Sequence, residues 1–375
     1  MESLPLDFKL KLLGRILSQS QKDSEQVQRE QDQLSPPEGD QDRKDVVAII
    51  MTKDRAFQLQ ECLRTLFNYC DGNFFQVHVL CNVEGRFKKS YDAVREKFPS
   101  IKFHLDTSSK EFAENLYALV AANSKNLLCF LVDDMIFYRQ FSLSSIVDVM
   151  KDSKILGYHL ALHPNVTFCQ PSGKKAIVPS DMSLIASGAR DSMRFRRILG
   201  TEDWNYPWNL CGGIYRGSDS LAVLKCIESK SGRLAFGHPN HFEVNGNIAI
   251  SSAKLDEKRP YSACPKHGLS SVITINRVQD IYKNPIYIPE KIFTSPTNEE
   301  SVVDCKRSVH GSEKFETESS EHESISLKPG SVDYMDKLFW RGDSLDSDAY
   351  AKLKPISVHI SQMQIKSVPQ NSPST

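Results

Sequence analysis

The sequence has no uninterrupted apolar run of about 18 residues, the length that a membrane-spanning helix needs. Its amino-terminal stretch, MESLPLDFKLKLLGRILSQSQ, also lacks an apolar core long enough for a secretory signal peptide. We therefore expect a soluble, cytoplasmic protein without a transmembrane segment. The piece FKLKLLGRIL could still form a short basic amphipathic helix that touches a membrane peripherally, binds a partner or docks on its own domain.

The chain has no excess of charge of either sign, because 47 Lys and Arg residues balance 47 Asp and Glu residues. A balanced chain offers no broad positive footprint for nucleic acid, so we expect no nucleic-acid partner. The nine cysteines show no CxxC spacing, and several lie in apolar runs, where a free thiol behaves as a small hydrophobe. This pattern is typical of a reducing compartment.

Several motifs of nucleotide and hydrolytic enzymes are missing. Neither a GxxxxGK[ST] loop nor a GxGxxG follows the first apolar run, so P-loop and dinucleotide chemistry have no support. GxSxG and HExxH are also absent from the sequence. A sugar nucleotidyltransferase should carry a Gly-rich, basic loop after its first strand, where this chain has TKDRAFQ.

Composition divides the chain into three parts. Residues 1–44 are mostly polar and predict an extension or linker, whereas residues 45–293 predict one α/β domain with halves at 45–137 and 138–293. Residues 294–375 are polar and of mixed charge, which predicts a mostly disordered tail in which DYMDKLFWRGD forms at most one or two amphipathic turns.

Apolar runs alternate with helically spaced segments from residue 46 onward. The runs VVAIIM, FQVHVLCNV, IKFHL and NLLCFLVDD read as strands, and the segments between them read as helices. Such alternation calls for right-handed βαβ units. The prediction is a Rossmann-like α/β fold with a mostly parallel sheet flanked by helices.

Two adjacent carboxylates, Asp133 and Asp134, close the apolar run LCFLV. The carboxyl end of such a strand opens into the crevice where ligands bind. Two carboxylates about 4 Å apart repel by about 4 kcal/mol at an effective dielectric of 20, so they need a cation such as Mg²⁺ or Mn²⁺. Neighbouring strand residues point to opposite faces, so both reach one ion only if the strand has already ended. The alternative is that both cap a turn.

The order VVAIIMTKDRAFQLQECLRTL, VHVLCNVEG and FAENLYALVAANSKNLLCFLVDDMIF resembles the nucleotide-sugar-binding half of a GT-A glycosyltransferase of the family-2-like type. The resemblance implies that the loop after the first strand binds the donor and that a residue after the second strand takes the base or ribose. An Asn on the helix before the acidic motif lies beside the donor. The donor-binding residues it implies are Thr52, Lys53, Arg55, Asn82 or Glu84, Asn115, Asp133 and Asp134. Met135 departs from the usual acidic residue at the third motif position, which puts metal dependence in question.

The second half resembles the acceptor side of these enzymes less closely. In WNYPWNLCGGIYR, the resemblance implies that Gly212 and Gly213 let the backbone approach the donor sugar; an ordinary turn is the alternative. The aromatic residues Trp204, Tyr206 and Trp208 could stack on a sugar or pack in the core, and Trp208 is our choice for the sugar.

Inverting glycosyl transfer needs a general base for the acceptor hydroxyl. The resemblance points to Glu243, with Asp203, His241 and Glu202 as substitutes. It also implies a carboxy-terminal His at the metal or diphosphate, for which His267 is the candidate beside Asp134; Lys266 and Arg277 could neutralise the leaving group.

These features predict an enzyme that moves a sugar from a nucleoside diphosphate donor to a saccharide or other hydroxyl acceptor, with inversion and assisted by Mn²⁺ or Mg²⁺. A non-catalytic carbohydrate-binding or scaffold protein with the same fold is the alternative that Met135 favours, and a sugar nucleotidyltransferase is the closest enzymatic rival. The sequence leaves the sugar, the base and the acceptor open.

Overall fold

The computed structural model describes residues 46–72, 74, 76–185, 191–278 and 330–368. The predicted amino-terminal amphipathic helix, the boundary at residue 44 and the polar stretch 294–329 lie outside these residues.

Short strands and helices alternate through most of the described chain. The strands are β1 (Val46–Lys53), β2 (Cys70–Asp71), β3 (Gln76–Asn82), β4 (Lys102–Leu105), β5 (Leu127–Val132), β6 (Met135–Phe137), β7 (Phe141–Ser142), β8 (Ile155–His159), β9 (Phe168–Cys169), β10 (Lys174–Lys175), β11 (Ser183–Leu184), β12 (Ser192–Phe195), β13 (Gly213–Arg216), β14 (Tyr261–Pro265), β15 (Ser270–Ile273), β16 (Ser344–Leu345), β17 (His359–Ile360) and β18 (Ile365–Lys366). The helices are α1 (Ala56–Tyr69), α2 (Lys88–Lys97), α3 (Ser109–Ala122), α4 (Leu143–Met150), α5 (Gly217–Ser231), α6 (Pro239–Ser252), α7 (Leu255–Lys258), α8 (Val332–Arg341) and α9 (Ser347–Leu353).

Nine strands of the described residues form the central sheet, in the order β11-β12-β14-β8-β13-β5-β1-β3-β4. The run β5-β1-β3-β4 is parallel throughout, as the sequence predicts. Strand β13 is antiparallel to both of its neighbours, and β12 is antiparallel to β14 and β11. The sheet is therefore mostly parallel, with reversed strands in the half that follows residue 138.

Apolar side chains cover both faces of this sheet. Along β1, Val47 and Ile49 pack into one hydrophobic cluster, whereas Ala48 and Ile50 pack into the other. Because every second residue of a strand faces the same side, an unbroken apolar run such as VVAIIM is what a sheet buried on both faces requires. Within the described ranges, no helix is long and apolar enough to cross a bilayer.

Two helices show how local sequence sets the entry to the site. Helix α3 begins at a cap in which the Ser108 side chain accepts from the N–H of Glu111 over 3.2 Å. Helix α6 begins with Pro239 after His238, whose ring accepts from Asn240 N–H over 3.1 Å. Our sequence analysis assigns no element to this second region.

The predicted disordered tail is wrong for residues 330–368. Helix α8 packs on the domain through Met335 and Leu338, which are buried. The N–H of Leu345 donates to the buried carboxylate of Glu61 in α1 over 2.7 Å. The segment is polar in composition, but Met335, Leu338 and Phe339 are buried along one face of α8, and burying that face orders the chain.

Candidate active site

The carboxyl edge of the sheet opens into a cleft made of two adjoining cavities. The first has a volume of about 240 Å³ and lies over the ends of β1, β3 and β4. The second has a volume of about 150 Å³ and lies beside the turn after β5 and beside β15. Both cavities are lined by Arg55, Val132, Pro239, Asn240 and Val278.

The acidic pair lies in the tight turn between β5 and β6, and both carboxylates face Arg55. Nε of Arg55 donates to Oδ2 of Asp133 over 3.0 Å, and its Nη1 donates to Oδ2 of Asp134 over 3.1 Å. A second guanidinium nitrogen of Arg55 also contacts Asp133. Because β5 ends at Val132, the two carboxylates are not forced to opposite faces. A guanidinium thus supplies the positive partner that the pair requires.

Burial shapes the charge of this group. The side chain of Asp133 is fully buried, and burial raises its pKa while the Arg55 guanidinium opposes the shift. Asp134 keeps 12% of its side chain exposed and lines the second cavity. Asp133 therefore anchors Arg55, whereas Asp134 is the carboxylate that a ligand in the cleft can reach.

The end of β1 and the residues that follow it border the first cavity. Thr52 and Lys53 line this cavity, and the hydroxyls of Thr52 and Tyr91 lie 2.6 Å apart. The N–H of Arg55 donates to the same Tyr91 oxygen over 3.1 Å. Tyr91, on helix α2, fixes the loop and was not among the residues that the sequence suggested.

The residues predicted beside the nucleotide take different places. Glu84 is exposed, lies 3.3 Å from Arg86 and does not line either cavity. Asn82 lines the first cavity, where its amide donates to the backbone oxygen of Asp106 over 2.7 Å. Asn115 does not line the cavity; its side chain donates to Oδ1 of Asp106 over 2.6 Å and so holds that carboxylate, which does line it. Asp106, which follows β4, is a residue that our sequence analysis missed.

Glu243 lies on α6 and lines the second cavity. The N–H of Leu210 donates to its Oε1 over 2.9 Å, and burial raises its pKa to about 7. Burial also raises the pKa of the nearby Asp203, whose Oδ2 has no hydrogen-bond partner. Two carboxyl groups with raised pKa values thus lie in this part of the fold.

His267 does not meet the acidic pair. It lines a separate pocket with Arg139 and Ser142, because it precedes β15, which begins opposite Phe137 and runs from there toward the acidic turn. The histidine in the second cavity is His359, which β17 places beside Val272 of β15. Burial of the ring atoms lowers the pKa of His359, and the negative charges of Asp203 and Asp134 oppose this shift. Of the two histidines, His359 and not the predicted His267 lines the cavity of Asp134.

The aromatic and glycine residues expected to face the sugar are in the core. Trp208 is fully buried among Phe130, Tyr215 and Phe242, so no ring face remains for a ligand. Trp204 is likewise buried, and its indole N–H donates to the oxygen of Val166 over 2.8 Å. These positions correct the choice of Trp208 and follow the alternative of core packing.

Gly212 and Gly213 are needed for the local backbone conformation and for close packing. Gly212 has φ +84°, and a Cβ there would lie 2.9 Å from the Met135 methyl group. A Cβ on Gly213 would collide with the backbone oxygen of Asn209. Both glycines are buried, so the structure gives them a packing role and not the predicted approach to a sugar.

The residues named as substitutes also separate by position. Arg277 lines the second cavity, whereas Lys266 and His241 are exposed and line neither cavity. Glu202 lies in the short turn Glu202–Asn205 with φ +55°.

The donor set of the second cavity fits a divalent cation in chemistry. Nδ1 of His359 and Oδ2 of Asp203 are buried and have no hydrogen-bond partner, and Asp134 lies in the same cavity as His359. Imidazole nitrogen and carboxylate oxygen are ligands that Mn²⁺ accepts. In the described residues, however, no three His, Cys, Asp or Glu side chains are arranged to hold a metal ion. A bound ion would therefore require these side chains to move toward one another.

Comparison with known proteins relates the chain to glycosyltransferases. It is 34% identical over 259 residues to the bifunctional glycosyltransferase pgtA of Dictyostelium discoideum, a match that covers 64% of this chain and 33% of that protein. The chain thus spans about a third of the length of this relative. This similarity agrees with the resemblance to glycosyltransferases that the sequence motifs indicate. No family model matches the chain.

Similar solved structures include a mannosyltransferase from Pyrobaculum calidifontis in complex with GDP-Man and Mn²⁺. It is 11% identical, with a TM-score of 0.32, over 63% of this chain and 60% of that chain. The UTP-bound UGPase of Acinetobacter baumannii is 9% identical, with a TM-score of 0.34, over 61% of this chain and 88% of that chain. TM-scores this low define neither a shared fold nor an activity.

Proposed function

We propose that the chain transfers a sugar from a nucleoside diphosphate donor to a hydroxyl acceptor, with inversion at the anomeric carbon. The observation that carries the proposal is the continuous cleft at the carboxyl edge of the sheet. It joins Thr52 and Lys53, at the end of β1, to the acidic turn, and the acidic turn to the half-buried Glu243. The similarity to a glycosyltransferase over 259 residues supports the same reading.

In this proposal the nucleoside lies in the first cavity and the sugar in the second. The diphosphate then lies between them, near Arg55 and Asp134, which border the passage. The positive charge of Arg55 is already neutralised by its ion pairs with Asp133 and Asp134, so a bound diphosphate needs further positive charge. Lys53 and Arg277, which line the two cavities, are the side chains placed to supply it.

A divalent cation would be held by Asp134 and His359, which both line the second cavity. Such an ion supplies Lewis acidity that stabilises the negative charge of the departing diphosphate. His359 takes the place of His267 in this assignment.

Glu243 acts as the general base. Its carboxylate takes the proton of the acceptor hydroxyl while the oxygen attacks the anomeric carbon from the face opposite the diphosphate. The new C–O bond forms, the bond to the phosphate oxygen breaks, and its electron pair leaves with the nucleoside diphosphate. A base whose pKa lies near 7 is suited to this task at neutral pH. The Leu210 N–H fixes one carboxyl oxygen and leaves the other for the acceptor.

Asp203 is the competing base, because its Oδ2 is unpartnered and its pKa is also raised. It does not line either cavity, whereas Glu243 does, and we therefore assign the proton transfer to Glu243.

The experiment that tests the proposal is a screen of labelled nucleotide sugars with Mn²⁺, following release of the nucleoside diphosphate with and without simple saccharide acceptors. We expect turnover of at least one donor by the wild-type chain and its loss in Asp134→Asn. Glu243→Gln should retain donor binding and lose transfer. If no nucleotide sugar binds or turns over, the non-catalytic alternative replaces this proposal.

A further inference from the structure

Asp106 carries an unsatisfied carboxylate oxygen in the wall of the first cavity. Its side chain is 2% exposed, and Asn115 Nδ2 donates to Oδ1 over 2.6 Å. The other oxygen, Oδ2, is buried and has no hydrogen-bond partner. A buried acceptor without a donor is costly, so an acceptor kept in the wall of a cavity is placed to accept from whatever fills that cavity.

The position of Asp106 matches the far end of a nucleotide. It follows β4, which is separated from β5 by β3 and β1 in the parallel sheet. Three strand spacings amount to about 14 Å between the end of β5, with its acidic turn, and the end of β4. A nucleoside diphosphate whose phosphates lie by the acidic turn would extend its base to this end of the cavity.

Other polar groups nearby are already engaged. The Asn82 amide donates to the Asp106 backbone oxygen, and the exposed Glu84 lies outside the cavity. Ser108 and Ser109, at the start of α3, share the wall with Asp106. The Ser108 hydroxyl accepts from Glu111 N–H and so keeps its own proton to donate.

We propose that Asp106 selects the nucleobase of the donor, because Oδ2 accepts the ring N–H of uracil or guanine. Both bases carry this N–H beside a carbonyl oxygen, which the hydroxyl of Ser108 or Ser109 can bind. Cytosine and adenine present a ring nitrogen lone pair at the same position, which a carboxylate repels. The inference rests on the proposed function and adds the class of base to it.

The test is the affinity of UDP, GDP, CDP and ADP, each with Mn²⁺, measured by titration calorimetry on the full chain. We expect wild type to bind UDP or GDP about tenfold or more tightly than CDP and ADP. Asp106→Ala should remove this preference by weakening the favoured nucleotide, and Asp106→Asn should reduce it. Glu84→Gln, at the exposed carboxylate outside the cavity, is the control and should leave all four affinities unchanged.

The outcomes separate this inference from the proposed function. If no nucleoside diphosphate binds wild type, both fail. If one binds and Asp106→Ala leaves the order of the four affinities unchanged, or weakens all four equally, the base selection is wrong and the proposed function stands. If Asp106→Ala weakens the binding of all four nucleotides equally, and wild type binds 2′-deoxy-UDP more weakly than UDP, then Asp106 contacts the ribose and not the base. The melting temperature of each variant shows whether it is folded; Asp106→Asn, which keeps an oxygen that can accept from Asn115, should lose less stability than Asp106→Ala.

Discussion

Arg55 and Asp133 form a buried ion pair at the centre of the cleft, with Nε of the guanidinium 3.0 Å from Oδ2 of the carboxylate. The Asp133 side chain has no exposed surface, and that of Arg55 has 12%. The pair therefore holds the loop after β1 against the turn after β5. This contact therefore connects the ends of β1 and β5, which are the first and fourth apolar runs of the sequence.

Replacing Arg55 should destabilise the fold more than replacing an exposed arginine. Arg55→Met leaves the Asp133 carboxylate buried and unpaired, which costs about 3–5 kcal/mol. Chemical denaturation measures the change. The matched control is Arg86→Met, which breaks exposed pairs with Glu84 and Asp333, each worth at most about 1 kcal/mol. The double variant Arg55→Met/Asp133→Leu should recover much of the loss; if it is no more stable than Arg55→Met, the unpaired charge is not the cause.

His359 and His267 should differ in their effect on metal affinity. His359 lies in the cavity of Asp134, whereas His267 lines another pocket. With UDP held constant, Mn²⁺ at 100 times its dissociation constant should stabilise wild type by about 2.7 kcal/mol, read as a thermal shift. His359→Ala should raise the Mn²⁺ concentration needed for that shift, and His267→Ala should leave the titration unchanged. The reverse pattern would return the metal to the residue that the sequence suggested.

The parallel half of the fold and the acidic turn were within reach of the sequence. The four apolar runs form β1, β3, β4 and β5. The inner strands β1, β3 and β5 are buried and therefore mostly apolar, whereas β4 is a partly exposed edge strand. The fourth run also located Asp133 and Asp134 at the sheet edge. An acidic residue directly after IKFHL was visible too, and the same rule of strand ends would have identified Asp106.

The rest depended on tertiary contacts that no local pattern encodes. Helix α6 contains Gly246, and glycine is a poor helix former. A Cβ at this position would collide with the Trp208 ring, so packing requires the glycine. His359 sits in a two-residue strand, too short for any periodicity, and pairs with β15 from a distant part of the chain. Trp208 was predicted to stack on a sugar, but it is buried, and the sequence alone does not distinguish an exposed from a buried tryptophan.

The rate of transfer should rise with pH through the pKa of Glu243. The group acts as a base only when deprotonated, and its pKa is raised to about 7 by burial, so activity is low at pH 5 and reaches a plateau above pH 8. Glu243→Gln should lower kcat by about 10²–10⁴ and abolish this rise, with little change in donor affinity. In Asp203→Asn the rise should persist. A rise lost in Asp203→Asn and kept in Glu243→Gln would assign the proton transfer to Asp203.

The same shift should appear in stability with the opposite sense. A carboxyl group whose folded pKa is raised holds its proton more tightly in the native state, so its stabilisation is complete below about pH 4.5 and is lost as pH rises to about 7. For Glu243 the loss is about 3 kcal/mol. The free energy of unfolding of wild type should therefore fall relative to that of Glu243→Gln between pH 5 and pH 8. Parallel curves for the two proteins would contradict the raised pKa.

Glu61 should hold the carboxy-terminal segment to the domain. Its buried carboxylate accepts from Nε and Nη2 of Arg64 and from the N–H of Leu345, and Arg64 Nη2 also donates to the Leu345 oxygen over 2.9 Å. Glu61→Ala leaves the Leu345 N–H without its partner, and we expect a loss of about 2–4 kcal/mol. Hydrogen exchange in Glu61→Ala should report faster opening across 330–368 than across β1.

The control is Lys88→Ala, which removes the exposed pair of Lys88 and Asp92, 2.6 Å apart. It should change stability by less than about 1 kcal/mol. Equal exchange of the segment in Glu61→Ala and wild type would mean that α8 packing alone holds it.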